Sequence, residues 1–323
     1  MKEKSDQIIE LVKKSKRILI TSHIDPDGDS IGSQLALKGW LDNLAKEVRI
    51  INWGKIPSRY LFLDDKRSIE DLDSPAVKTW DADMVFVLEC PNLERIGKVR
   101  ELIREGDKIV NLDHHPDNSA FGDLNCIDTE ASALGEIIYE LLIYAGYKLN
   151  KKVATQLYSA ILTDTGRFRF SNTTPKSLKI CADLISRGAN PKEINNQIYY
   201  NNSEPALRLL GFVLQNLEVL EDGKVSFMVI NQKNLKDFKV PVEDIEGFVD
   251  YSLFLKGVEV GALFKQKDKT LIKVSLRSQS SFDVASLARI FGGGGHRNAA
   301  GCTLNHDLNS AKKLILKNIK EQI

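Results

Sequence analysis

His23, Asp25, Asp27 and Asp29 alternate with Ile24, Pro26 and Gly28 in the stretch SHIDPDGDSIG, residues 22–32. Carboxylates this close repel one another and each favours water, so the stretch is either a solvated turn or is compensated by a cation. Pro26 and Gly28 hold the chain in a turn, where alternate side chains can converge on one point. Imidazole mixed with carboxylate suits manganese, zinc or iron, whereas all-oxygen sets suit magnesium or calcium. A second stretch, NLDHHPD, places Asp113, His114 and His115 at the end of an apolar run, and the chain has only five histidines. Adjacent side chains at a strand end point to opposite sides, so one imidazole can ligate a metal while the other faces a substrate. Asp164, in ILTDTGRFRF, stands where a helical pattern gives way to a turn containing glycine.

A different chemistry is suggested by GGGGHRNAAG, residues 292–301. Consecutive glycines lack Cβ atoms, so the backbone N–H groups of Gly293, Gly294 and Gly295 can approach a phosphate closely and form an anion-binding concavity. His296, Arg297 and Asn298 add donors, and arginine suits bidentate phosphate contact. Arg277, ending an apolar strand pattern in SLRSQ, is a second phosphate clamp in this reading.

The elements that must position these groups follow from hydrophobic period. RILITSH, EVRIINW, MVFVLEC (84–90) and KIVNLDHH (108–115) read as buried strands, with a helical pattern over 30–45 and helices at about 131–145, 151–163 and 175–187. Continuous apolar strands alternating with helices predict an α/β domain with a parallel sheet and helices on both faces. The acidic clusters then fall on loops at the carboxyl ends of strands, where open α/β sheets bind ligands. After about residue 217 the texture changes to two hairpins, LEVLEDGKVSFMVI and VEVGALFKQKDKTLIKVSLRS, then a helix near 283–291, the glycine run and a last helix near 308–322. The division expected is 1–189 for a metal-binding domain, 190–205 for a helical linker and 206–323 for a smaller α+β domain that binds substrate.

Composition narrows the function classes. The chain has 323 residues, 45 basic and 44 acidic, for a net charge of +1. Proteins that grip long nucleic acid usually carry a basic excess, so an anionic partner should be small and held locally rather than a long duplex. No apolar run approaches the roughly 18 residues of a membrane span, and the N-terminus shows no signal-peptide pattern. The four cysteines form no Cys-x-x-Cys pair and read as buried apolar residues of a reducing, cytoplasmic compartment.

Taken in order, HIDPDGDSIGS, DHH at 113–115, TDTG at 163–166 and GGGGHRNAAG at 292–301 resemble the DHH phosphoesterase superfamily, and most closely its nano-RNase and pAp-phosphatase-like branch with a DHH-associated C-terminal domain. The resemblance implies two manganese ions, replaceable by magnesium or cobalt, in a cleft between the domains. It implies hydrolysis of phosphoester bonds in short oligonucleotides, linear dinucleotides such as pApA, or nucleoside bisphosphates such as pAp, by attack of a metal-activated hydroxide. By motif position, His23 and Asp27 would hold one metal, and Asp29, His114 and Asp164 the second. Asp113 would orient His114 by a hydrogen bond from behind, His115 would lie near the scissile phosphate, and Asp25 is not a ligand position. A homodimer is left open.

One position departs from the pattern. Where the family usually has an aspartate bridging both metals, VFVLECPNLERIG has Glu89. Glutamate keeps the charge and both oxygens but adds a methylene, so it is expected still to ligate after the strand end recedes or the carboxylate tilts. A pyrophosphatase or polyphosphatase of the same superfamily, and a nucleotide-binding protein without catalysis, are the competing readings.

Overall fold

The apolar runs of the first half form one parallel sheet in the computed structural model, which describes residues 2–74, 77, 80–245, 247–279 and 281–322. Its strands are β1 (Arg17–Ser22), β2 (Glu47–Asn52), β3 (Ile69–Asp71), β4 (Met84–Leu88), β5 (Lys108–Asp113) and β6 (Leu124–Ile127), in the spatial order β3-β2-β1-β4-β5-β6. Every neighbouring pair is parallel. The strand order reverses between β1 and β4, so the loops leaving those two strands diverge and open a crevice at their carboxyl ends.

Strand alternation sends Ile18 and Ile20 to one face of this sheet and Leu19 to the other. The first face is covered by α1 (Lys2–Lys14), α2 (Gly28–Asn43), α3 (Leu134–Tyr144), α4 (Lys151–Asp164), α5 (Pro175–Ser186) and α6 (Pro191–Tyr199). Among the described residues no α-helix covers the second face, where the expectation was helices on both. Leu19, Ile51, Val85 and Val87 pack there against Ile96 and Val99, which belong to a 3-10 segment, Leu93–Leu102. That segment is interrupted by Gly97 at φ 58°, which prevents a regular helix from forming between β4 and β5.

The chain divides into two units, Met1–Asn201 and Asn202–Ile323. Within the segment read as a linker, α6 places Ile194 and Ile198 in the core of the first unit. In the second unit α7 (Glu204–Gln215) packs Ala206 and Leu209 on one face of a mixed sheet. Its strands are β7 (Glu218–Leu220), β8 (Val225–Ile230), β9 (Val260–Gln266), β10 (Leu271–Ser278), β11 (Gly294–His296) and β12 (Ala299–Asn305), in the order β11-β12-β10-β9-β8-β7. The two expected hairpins are β7–β8 and β9–β10. On the other face Phe227 and Phe264 meet edge to face beneath α9 (Val284–Ile290) and α10 (Leu308–Lys320). No helix among the described residues is long and apolar enough to cross a membrane.

Candidate metal centre

His23 follows the end of β1, and its Nδ1 lies 2.9 Å from the carbonyl oxygen of Ile24. A carbonyl only accepts, so Nδ1 carries the proton and Nε2 keeps its lone pair for a ligand. Nε2 is 4.0 Å from Asp27 Oδ1. The turn is made at Asp25, which takes φ 59° and is exposed. Gly28 instead opens α2, and it must be glycine because a Cβ there would lie 2.6 Å from the Thr163 side chain. Asp27 caps α2, its Oδ1 accepting the N–H groups of Asp29 (3.1 Å) and Ser30 (3.0 Å).

Asp29 reaches across to α3. Its oxygens accept the N–H groups of Leu134 (2.6 Å) and Gly135 (2.8 Å) and the hydroxyl of Ser33 (3.1 Å). The residue at the cap position of α3 is Ala133, which has no side chain able to accept, so a buried aspartate from another helix does this.

At the end of β4, Glu89 takes the left-handed φ of 54°, a conformation costing a non-glycine residue about 1–2 kcal/mol. Its N–H donates to the Leu112 carbonyl (3.0 Å), which pins the strand end. The side chain is 1% exposed, and neither carboxylate oxygen accepts a hydrogen bond from any described residue. A buried carboxylate without hydrogen bonds is costly unless a cation sits beside it. Glu89 belongs to two groupings of potential ligands, one with His23 and Asp27 and one with His114 and Asp164, each spanning no more than 4.8 Å between ligand atoms. His114 Nε2 is 4.0 Å from Glu89 Oε1, 4.0 Å from Asp29 Oδ2 and 3.8 Å from Asp164 Oδ2. These separations are too long for hydrogen bonds and are short enough for the atoms to share a cation with bonds of about 2.0–2.2 Å. The donor set therefore fits divalent cations, with Glu89 common to two positions. Asp164, the last residue of α4, is held by Asn172, whose Nδ2 donates to Oδ2 at 3.2 Å.

The electrostatics match this geometry. Burial pushes Asp29 up to about 7, and the Asp164 charge adds to the effect. Burial likewise pushes Asp164 up to about 7. Burial, then the charges of Asp27, Asp29, Asp164 and Asp113, hold Glu89 well above the carboxylate range. Burial lowers His23. Burial also opposes protonation of His114, but Asp164, Asp29 and Asp113 outweigh it and raise that imidazole.

Asp113 does not orient the His114 ring, which is a correction to the sequence reading. The ring is held through Nδ1 by the carbonyl of Ala131 at 3.2 Å. Asp113 Oδ1 accepts the His114 backbone N–H (2.8 Å) and faces His115 Nδ1 at 2.7 Å. The chain turns after β5, which carries the His114 ring forward and brings the next ring back over the carboxylate. Burial opposes the Asp113 charge, but His115 and Asn118 hold its carboxyl below the ordinary range. Asn118, Asn172 and the Ala131 carbonyl went unnoticed in the sequence, where an asparagine in a polar loop signals only a turn.

The substrate-binding candidates of the second unit gather at one end of its sheet, where Arg277 of β10 pairs with Ala299 of β12. The glycine run is not a loop: Gly294, Gly295 and His296 form β11 and pair with Gly301, Ala300 and Ala299. Glycine is needed at Gly293 and Gly295 because a Cβ would meet backbone oxygens of β12 at 2.2 and 2.5 Å, whereas Gly294 faces open space. Arg277 Nε donates to Asp250 (2.9 Å), Arg297 Nη2 to the Ser281 carbonyl (2.9 Å) and Asn298 Nδ2 to Ser278 Oγ (2.8 Å).

Residues 17–161 match the DHH family N-terminal domain and residues 222–323 the DHHA1 domain. The bifunctional oligoribonuclease and PAP phosphatase NrnA of Bacillus subtilis is 33% identical over 92% of this chain and 92% of its own length. The protein of the same description from Thermus thermophilus is 32% identical over 99% of this chain and 95% of its own. The crystal structure of an exopolyphosphatase-related protein from Bacteroides fragilis superposes with a TM-score of 0.92 at 28% identity, covering 99% of this chain and 96% of that one.

Proposed function

The chain belongs to the DHH family, and we propose that it is a divalent-metal phosphoesterase that hydrolyses short oligonucleotides and pAp, with manganese as the working ion. The observation that carries this reading is Glu89, a buried carboxylate that accepts no hydrogen bond from a described residue and is shared by two groupings of ligand atoms. In this reading His23 and Asp27 hold one ion, Asp29, His114 and Asp164 the other, and Glu89 serves both. When bound, such a pair supplies positive charge to a phosphoryl group and lowers the pKa of a water.

The protein's own groups supply the remainder. Proton-bearing Nδ1 atoms on His23 and His114, each against a backbone carbonyl, keep both Nε2 lone pairs directed at the ions. Asp29, anchored to the first turn of α3, cannot swing away when ions are exchanged. His115, held by Asp113, offers its other ring nitrogen to a phosphate oxygen or leaving group. Arg277, His296, Arg297, Asn298 and the open backbone at Gly294 are the proposed contacts to substrate phosphate. The near-zero net charge favours short substrates over long nucleic acid. The relatives described as oligoribonuclease and PAP phosphatase support the same substrate class. The four free, buried cysteines fit a reducing cytoplasm.

A substrate panel with manganese tests the reading: pAp, pApA, short RNAs, cyclic di-AMP, pyrophosphate and polyphosphate. Turnover of pAp and the shortest RNAs, absent with chelator, is expected. Turnover confined to pyrophosphate or polyphosphate, or no turnover with any divalent ion, overturns it.

A further inference from the structure

We propose that Asn118 is a positioning residue for His115, acting through Asp113; the proposal rests on the phosphoesterase reading for its kinetic consequence but not for its geometry. Asn118 Nδ2 lies 2.5 Å from Asp113 Oδ2, 2.9 Å from Asn111 Oδ1 and 3.0 Å from the Cys90 carbonyl. Its Oδ1 accepts the N–H of Ala120 at 2.7 Å, which settles which end of the amide faces the carboxylate. Asp113 is fully buried, and its second oxygen faces His115 Nδ1 at 2.7 Å.

The final torsion of an aspartate is broad and two-fold, so a carboxylate bonded at one oxygen only can rock about it. Asn118 removes that freedom by holding the oxygen that His115 does not use. It does so from a fixed base. The Cys90 carbonyl also accepts from Asn111 (3.3 Å), and the Pro91 carbonyl accepts from the N–H (2.8 Å) and hydroxyl (3.0 Å) of Ser119. The loop bearing Asn118 is thereby stitched to the end of β4, the strand that delivers Glu89. Asn118, Asp113 and His115 form a chain of hydrogen bonds whose last member is an imidazole with a defined proton on Nδ1, leaving Nε2 as the atom that meets substrate.

Two measurements test this. In Asn118→Ala, kcat for pAp should fall about 10–100-fold, the usual cost of removing such a supporting hydrogen bond. KM should stay within about twofold, because the lost contact acts on the reacting group and not on binding. In a His115→Gln background the same substitution should cost less than about twofold more, since the group it positions is gone. An equal loss in both backgrounds overturns the proposal. Independently of turnover, nitrogen-15 histidine spectra of the metal-free protein should show a downfield, hydrogen-bonded Nδ1 proton, assigned by its absence in His115→Gln. In Asn118→Ala that proton should shift upfield or broaden while the His23 and His114 signals stay, and an unchanged His115 signal overturns the proposal. Should Asn118→Ala not fold, Asn118→Ser, too short to reach Asp113, gives the same readings. If the wild-type protein hydrolyses neither pAp nor short RNA, the functional reading fails and the spectra still decide the positioning role.

Discussion

Glu89 Oε1 lies 4.0 Å from His114 Nε2, and the carboxylates of Asp29 and Asp164 stand within 4.0 Å of the same nitrogen. Three acids converging on one buried imidazole are tolerable when protons or cations divide the charge between them. Which of the two does so depends on pH. Burial raises the carboxyls of Asp29 and Asp164 to about 7, above their values in an unfolded chain. A carboxyl raised by folding binds more protons in the native state, so its contribution is complete below the unfolded value and is lost as pH rises through the folded value. The metal-free protein should therefore melt at a lower temperature at about pH 8 than at about pH 5. Manganese displaces those protons, and its stabilising effect should be largest at the higher pH. Melting curves with chelator and with manganese across this interval check both signs. A metal-free melting temperature that climbs with pH contradicts the account.

Glu89→Gln should separate stability from function. Folding without metal must either leave this buried carboxyl charged or hold it protonated above its unfolded value, and glutamine removes that cost. The variant should therefore stabilise the metal-free protein at neutral pH by about 1–2 kcal/mol, read by denaturant titration with chelator. The same variant should lose metal-dependent hydrolysis. A destabilised metal-free variant would mean that the carboxylate has an anchoring role.

Asp29→Ala should have the opposite sign, although Asp29 belongs to the same cluster. Its carboxylate accepts the Leu134 and Gly135 N–H groups at the start of α3, so its removal should cost the metal-free protein about 1–2 kcal/mol. Wild-type denaturation midpoints with chelator present would show that the cap is not needed.

Much of the architecture is legible in the sequence. Continuous apolar runs mark β1, β2, β4 and β5, and two apolar runs around Asp222-Gly223 mark the β7–β8 hairpin, whereas the short strands β3 and β6 carry no such run. What escapes is set by contacts far apart in sequence. Asp29 caps a helix that begins at Leu134, and no local pattern announces that. The glycine run reads as a loop because glycine disfavours strands, yet it pairs with β12, whose backbone lies so close that a Cβ at Gly293 or Gly295 would clash. The ligand side chains themselves are readable as types and spacing. The groups that hold the rings, the Ala131 carbonyl accepting from His114 and the Asn118 amide donating to Asp113 behind His115, depend on how the loops after β5 and β6 run.

The glycine strand offers a substitution that tests substrate contact without disturbing the fold. Nothing lies within 4 Å of a Cβ built on Gly294, so Gly294→Ala should melt like the wild type. If phosphate approaches that backbone, KM for pAp should rise about tenfold, equivalent to about 1.4 kcal/mol. Gly295→Ala should instead destabilise the second unit by about 2 kcal/mol or more, because φ is +135° there and the Cβ would lie 2.5 Å from the Ala299 carbonyl. An unchanged KM in Gly294→Ala removes the glycine strand from the substrate site.

The central claim is that Glu89 serves two cations at once. Equilibrium dialysis against manganese, with bound metal counted per chain, tests it most directly. Two ions per wild-type chain and no more than one in Glu89→Gln are predicted. A wild-type chain that takes up one ion or none, or a Glu89→Gln variant that still binds two with unchanged affinity, contradicts the account.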